Sequence, residues 1–137
     1  MQKVAICLAS GANRGKTTSL KKLGYLLIGE LCTEREILKV FDYRGVQVGI
    51  SSSGDYLDYF KPGFEHLIAS ECDIVVCACR SKGAAADYAF NTARNSGYEV
   101  IWMGAAYDYG SSFQDICNKQ IAYAIKGMID SIIEIQL

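Results

Sequence analysis

VAICLASGANRGKTTSL, residues 4–20, contains the clearest structural pattern in this chain of 137 residues. Its first six residues are all apolar, which predicts a buried β-strand over residues 4–9. Leucines at helical spacing follow and predict a helix over residues 16–31. The two elements are joined by a loop that holds two glycines. A strand, a glycine-containing loop and a helix in this order indicate an α/β domain.

The rest of the chain alternates in the same way. Further apolar runs predict four strands, over residues 37–41, 46–50, 73–79 and 98–103. The intervening patterns predict helices over residues 56–70, 83–95 and 111–137, the first of them disturbed at Lys61-Pro62-Gly63. We expect one domain over residues 1–137 with an α/β fold, a three-layer α/β/α sandwich whose five-stranded sheet is mainly parallel with one antiparallel strand.

Composition narrows the classes of partner. Half of the residues are hydrophobic, 21% are charged and the net charge is -1, which supports neither a nucleic acid nor an acidic membrane as a partner. No apolar run approaches the length of a membrane span, and no signal-peptide core follows Met1, so a cytoplasmic location is expected.

Six cysteines raise the question of a zinc site. Cys72, Cys77 and Cys79 lie close in sequence and His66 is nearby, but their spacing contains no CxxC pair. In a strand, Cys77 and Cys79 point to one face while Cys72 does not. We expect reduced thiols in the core with neither zinc nor redox chemistry, and a surface position for His66.

The loop itself carries a phosphate-binding pattern. Gly15-Lys16-Thr17 matches the end of GxxxxGK[ST], while Ser10 occupies the first glycine position and Gly11 comes one residue late. Backbone N–H groups and a helix N-terminus would face the anion. The chain resembles the P-loop NTPases in this motif and in its α/β alternation. A plain turn with a solvated Lys16 is the alternative, which the preceding strand and the following threonines make the weaker one.

The resemblance implies a site for a Mg²⁺-nucleoside triphosphate. Lys16 would reach the β- and γ-phosphates, and Thr17 would offer its hydroxyl to Mg²⁺. Arg14 would neutralise charge during phosphoryl transfer, with a solvent-facing arginine as the alternative. Asn13 also fits a GTPase variant, GxxNxGK[ST]. The predicted nucleotide-binding residues are Ser10, Gly11, Ala12, Asn13, Arg14, Gly15, Lys16, Thr17 and Thr18.

The sequence gives a weaker indication of which base the nucleotide carries. The guanine-reading NKxD motif is missing, since Asn118-Lys119 is followed by Gln120 and Ile121 and falls on what we expect to be an exposed helical face. ATP is therefore the expected nucleotide, with GTP as the alternative. Two further loops at the same end of the sheet, 80–83 and 107–112, carry basic and tyrosine residues that fit a ligand or plain solvent exposure equally well.

Three function classes remain. ATP hydrolysis needs only the loop, Mg²⁺ and a water. A small-molecule kinase would add an acceptor pocket with Asp42 or Asp55 as base. An interaction module would use the C-terminal helix to bind a protein partner or a second copy. Short connections leave no obvious lid, which favours hydrolysis over a kinase.

A carboxylate is expected to support the metal and turnover. Asp42, Tyr43, Arg44 and Gly45 fit a type I turn, so strands two and three should form an antiparallel hairpin. That topology places Asp42 at the far end of the sheet and Asp55 beside the phosphate loop. Asp55 is therefore predicted over Asp42.

Overall fold

The computed structural model describes residues 1–10, 15–104 and 112–136. Within them the chain is an α/β protein in which strands and helices alternate. The strands are β1 (Lys3–Ser10), β2 (Leu38–Tyr43), β3 (Val46–Ser51), β4 (Ile74–Arg80) and β5 (Tyr98–Gly104). The helices are α1 (Lys16–Ile28), α2 (Leu57–Ala69), α3 (Ala84–Asn95) and α4 (Gln114–Gln136).

The five strands form one sheet in the order β2-β3-β4-β1-β5. β1 pairs in parallel with β4 and β5, β3 pairs in parallel with β4, and β2 pairs antiparallel with β3. These pairings confirm two predictions: the antiparallel hairpin of β2 and β3, and the parallel pairing of β3 with β4. The four parallel strands therefore finish at one end of the sheet, called here the carboxyl end, and β2 begins there.

The two faces of the sheet carry separate cores because strand side chains alternate. Val4, Ile6 and Leu8 of β1 pack on one face with apolar residues of α1 and α4. Ala5 and Cys7 pack on the opposite face with residues of α2 and α3. Helices thus cover both faces, which explains why β4 is buried along almost its whole length.

Helix α1 ends earlier than the sequence predicted. Gly29 adopts a left-handed conformation with φ 72°, and its N–H donates to the Tyr25 carbonyl over 2.8 Å. This is a glycine cap, which stops the helix at Ile28. Leu31 consequently lies beyond the helix and is exposed.

The predicted break at Lys61-Pro62-Gly63 is wrong, because α2 continues through Pro62. A proline inside a helix costs about 3 kcal/mol. Phe60, Phe64 and Leu67 are fully buried on the sheet, and each such side chain contributes roughly 1.5–3 kcal/mol. Burial of this face outweighs the lost hydrogen bond.

The turn between β2 and β3 also differs from the prediction. Tyr43 pairs with Val46, so the two central residues are Arg44 and Gly45, and both have positive φ, 54° and 80°. Positive φ at both central residues characterises type I′ turns, whose twist matches that of a two-residue hairpin.

Among the described residues no helix is long and apolar enough to cross a membrane.

Candidate functional site

The junction of β1 and α1 lies at the carboxyl end of the sheet. β1 ends at Ser10 and α1 begins at Lys16, with Gly15 in a left-handed conformation (φ 78°) as its N-cap. Among the described residues, no side chain caps this helix start. Residues 11–14, which include the predicted Gly11, Ala12, Asn13 and Arg14, lie outside the described residues. The described flanks have the strand-to-helix geometry that a phosphate loop requires.

The Lys16 side chain is buried, and its amino group contacts polar groups at this end of the sheet. Its side chain is 6% exposed, and Nζ lies 3.1 Å from the Ser10 carbonyl oxygen and 3.2 Å from Asp55 Oδ1. A buried ammonium group requires polar partners, since desolvation without them is costly. Lys16 therefore lies where a β- or γ-phosphate could join or replace its present partners.

Asp55 reaches Lys16 because the chain after β3 crosses closely over β4. A Cβ built on Gly54 would lie 1.6 Å from the Ala78 carbonyl oxygen. Only glycine fits that approach, and the next residue is Asp55. Asp42, in contrast, lies in the hairpin at the other end, where its carboxylate accepts from the Gly45 N–H over 3.2 Å. The structure thus brings Asp55, and not Asp42, to Lys16 at the start of α1.

A second acid, Glu36, lies at the same end and was missed by the sequence analysis. Thr17 Oγ1 donates to Glu36 Oε2 over 3.0 Å, and Ser52 Oγ donates to the same oxygen over 2.6 Å. Ser52 Oγ in turn accepts from the Ile37 N–H over 2.8 Å. The predicted hairpin could have pointed to Glu36. Because β2 is antiparallel to β3, β2 begins at the end of the sheet where β3 ends, and Glu36 lies just before β2.

These groups line a cavity of about 700 Å³. Its size falls within the range of small-molecule sites, roughly 300–1,000 Å³. Its lining includes the start of α1 and the exposed residues Tyr56 and Tyr59 at the start of α2. The lining residues are Gly15, Lys16, Thr17, Thr18, Arg35, Glu36, Ser52, Ser53, Gly54, Asp55, Tyr56, Tyr59 and Gln114.

The donors at this cavity suit Mg²⁺ better than a softer metal. The lining carries two carboxylates, of Glu36 and Asp55, and the hydroxyls of Thr17, Thr18, Ser52 and Ser53, and Mg²⁺ prefers oxygen ligands. In the described part of the chain, no three His, Cys, Asp or Glu side chains cluster tightly enough to hold a metal ion. Such a donor set fits Mg²⁺ that is bound through one or two carboxylates together with substrate phosphates.

Other sequence-predicted positions are not among the described residues that line this cavity. Asn118 is not on an exposed helical face, since it is 4% exposed and accepts from Ser19 Oγ over 3.2 Å between α4 and α1. The Arg80 guanidinium stacks over the Tyr56 ring at 5.1 Å. Of the tyrosine loop 107–112, residues 107–111 lie outside the described residues. His66 lies in the last turn of α2, where it is exposed as predicted.

The core cysteines have the surroundings of inert thiols. Cys7, Cys72, Cys77 and Cys79 are buried and free. Burial raises the pKa of Cys79 to about 12, and a hydrogen bond to Cys7 together with burial raises the pKa of Cys77. A thiol with a raised pKa is a poor nucleophile and metal ligand at neutral pH. The absence of zinc and redox chemistry stays a prediction.

Comparison with protein-family models finds no match for this chain, and a search among curated proteins finds none either.

Proposed function

We propose that this chain binds a Mg²⁺-nucleoside triphosphate in the cavity at the carboxyl end of the sheet and hydrolyses it. The observation that carries the proposal is the buried Lys16 ammonium group. It lies at a strand-to-helix junction, 3.2 Å from Asp55, with Thr17 beside a carboxylate. This combination of cation, hydroxyl and acid matches what a triphosphate with its metal requires.

Each residue has a distinct part in this proposal. Gly15 and the first turn of α1 present backbone N–H groups to the phosphates, and Lys16 neutralises the terminal phosphate charge. Thr17 and Asp55 would hold Mg²⁺, which when bound neutralises charge on the β- and γ-phosphates. Arg14 is proposed as a further cation for the same phosphates. ATP is the proposed nucleotide, with GTP as the alternative.

Ligand-dependent stability tests the binding. At about 100 times the dissociation constant, a ligand specific to the native state adds roughly 2.7 kcal/mol of stability. We expect ATP or GTP with Mg²⁺ to raise the unfolding temperature by several degrees. The absence of a shift with every triphosphate, with and without Mg²⁺, would contradict the proposal.

Lys16→Ala is expected to weaken triphosphate binding by about 10-fold to 100-fold, the value of a charge-assisted hydrogen bond of roughly 1.5–3 kcal/mol. Lys22→Ala, on the same helix and outside the cavity, is the matched control. Equilibrium titration with a fluorescent ATP analogue gives both affinities. Equal losses in the two variants would mean that Lys16 has no specific role.

Turnover separates the two aspartates. Asp55→Asn should abolish Mg²⁺-dependent phosphate release from ATP, because its carboxylate lies beside Lys16. Asp42→Asn should leave release nearly unchanged, because Asp42 belongs to the distant hairpin turn. The opposite pattern would show that Asp55 is not the working carboxylate.

A small-molecule kinase is the second candidate, and one observation favours it. The cavity lining includes Tyr56 and Tyr59, which are 61% and 69% exposed. Exposed aromatic rings beside a phosphate site could stack on an acceptor. Phosphate release from ATP without any added acceptor distinguishes the hydrolase, since a strict kinase would release little.

Partner binding through α4, which exposes Ile116 and Tyr123, stays a prediction.

A further inference from the structure

Glu36 precedes β2 and has no part in the phosphate-loop pattern, yet it accepts a hydrogen bond from the Thr17 hydroxyl. Oε2 of Glu36 accepts from Thr17 Oγ1 over 3.0 Å. The same oxygen accepts from Ser52 Oγ over 2.6 Å. The contact joins residues that are 19 positions apart in the sequence. A carboxylate held in this position faces the hydroxyl that the proposed function assigns to the metal.

Hydrogen bonds of Ser52 fix the position of the Glu36 carboxylate. Ser52 is 3% exposed, its Oγ accepts from the Ile37 N–H over 2.8 Å, and its N–H donates to the Ile37 carbonyl over 3.0 Å. These bonds join the residue before β2 to the residue after β3. The Ser52 hydroxyl accepts from the Ile37 N–H, and Glu36 Oε2 at 2.6 Å is a closer acceptor for its proton than the Ile37 carbonyl oxygen at 3.4 Å.

The spacing of the two oxygens suits one metal ion. An octahedral Mg²⁺ holds oxygen ligands at about 2.0–2.1 Å, so adjacent ligand oxygens lie roughly 2.9 Å apart. Thr17 Oγ1 and Glu36 Oε2 are 3.0 Å apart. Asp55, by contrast, directs Oδ1 to the Lys16 ammonium group.

We infer that Glu36 is a metal-positioning residue of this site, which joins Thr17 and Asp55 in holding Mg²⁺. The inference rests on the proposed function and adds a residue to it. Glu36 and Ser52 then make one unit, in which the serine fixes the carboxylate and the carboxylate fixes the metal. Oxygen ligands oriented by a second layer of hydrogen bonds are the usual construction of metal sites.

The test compares ATP affinity with excess Mg²⁺ and with EDTA, by equilibrium titration. Glu36→Gln keeps an oxygen that can accept from Thr17 and Ser52 but removes the charge. We expect its affinity with Mg²⁺ to fall by about 10-fold to 100-fold. With EDTA its affinity should be unchanged or higher, because one negative charge near the phosphates is gone. A purely structural role would lower both affinities together.

Two further variants make the test specific. Glu34→Gln, an exposed glutamate two residues earlier and outside the cavity lining, should leave both affinities unchanged. Glu36→Asp keeps the charge with a shorter reach and should lose less of the Mg²⁺ enhancement than Glu36→Gln. Unfolding of each variant without ligand checks that the fold is intact.

The failures can be told apart. If the wild-type chain binds ATP more tightly with Mg²⁺ and Glu36→Gln keeps the full enhancement, the inference is overturned and the proposed function stands. If the wild-type chain binds neither ATP nor GTP under any condition, the proposed function is overturned and the role of Glu36 with it.

Discussion

At the scale of single residues, Gly54 decides whether Asp55, the acid after β3, can reach Lys16 at the start of α1. A methyl group there would lie 1.6 Å from the Ala78 carbonyl oxygen, which is backbone and cannot rotate away. The chain from Ser52 to Asp55 would have to lift off β4. The Lys16 contact with Asp55 would be lost with it.

Gly54→Ala should therefore lower the free energy of unfolding by about 1–3 kcal/mol, the usual cost of overpacking, and weaken nucleotide binding. Gly104→Ala is the control, because its added Cβ would meet nothing within 4 Å. The control should stay within about 0.5 kcal/mol of the wild-type value. Urea denaturation measures both, and equal stability of the two variants would contradict the close approach.

At the scale of elements, the β2-β3 hairpin is fastened to α4 by Asp130. Its carboxylate accepts from the Tyr43 hydroxyl over 2.7 Å, from Lys126 Nζ over 2.9 Å and from Arg44 Nη1 over 3.2 Å. Burial tends to raise the pKa of Asp130, but these three donors outweigh it and lower the pKa below its ordinary value. The charged form is thus the stabilising one.

The sign of the pH dependence follows from that lowered pKa. Stability from Asp130 should be complete above the unfolded-state pKa of about 3.9 and should be lost as the pH falls toward the lower folded-state value. Asp130→Asn should cost about 1–2 kcal/mol at pH 7 and remove part of the acid sensitivity. Denaturation at pH 7 and pH 3 checks this. Glu134→Gln, an exposed partner of Arg44, should change little.

At the scale of the whole molecule, the two-faced core separates the cysteines by accessibility. Four thiols, Cys7, Cys72, Cys77 and Cys79, are buried, while Cys32 and Cys117 are partly exposed. Burial raises the pKa of Cys72 as well as that of Cys79. Burial should slow the reaction of all four thiols by limiting access, and the raised pKa values of Cys72 and Cys79 should slow those two further by reducing the thiolate form.

Alkylation at pH 7 should therefore modify two thiols quickly in the folded protein and all six in denaturant. Mass spectrometry of the products identifies the modified positions. Rapid modification of Cys77 or Cys79 under native conditions would mean that the sheet opens on the timescale of the reaction, or that the core is not packed as described.

The sequence by itself determined the order of the elements, the hairpin and the α/β class. Apolar runs and helical spacing are local patterns, and a two-residue connection permits only an antiparallel return. It also predicted that Asp55, and not Asp42, would lie beside the phosphate loop, since that follows from strand direction alone. It misplaced the end of α1 and the effect of Pro62, because a cap and a packed face compete with helix periodicity.

Only the tertiary structure decided the partners within the candidate site. Glu36 meets Thr17 across 19 residues and Ser52 across 16, and Gly54 fits only because the Ala78 carbonyl oxygen lies against it. Such contacts depend on how two strands and two loops are set side by side, to within a fraction of an ångström. No local pattern in a sequence records that distance, whereas strand direction requires only the order of the elements.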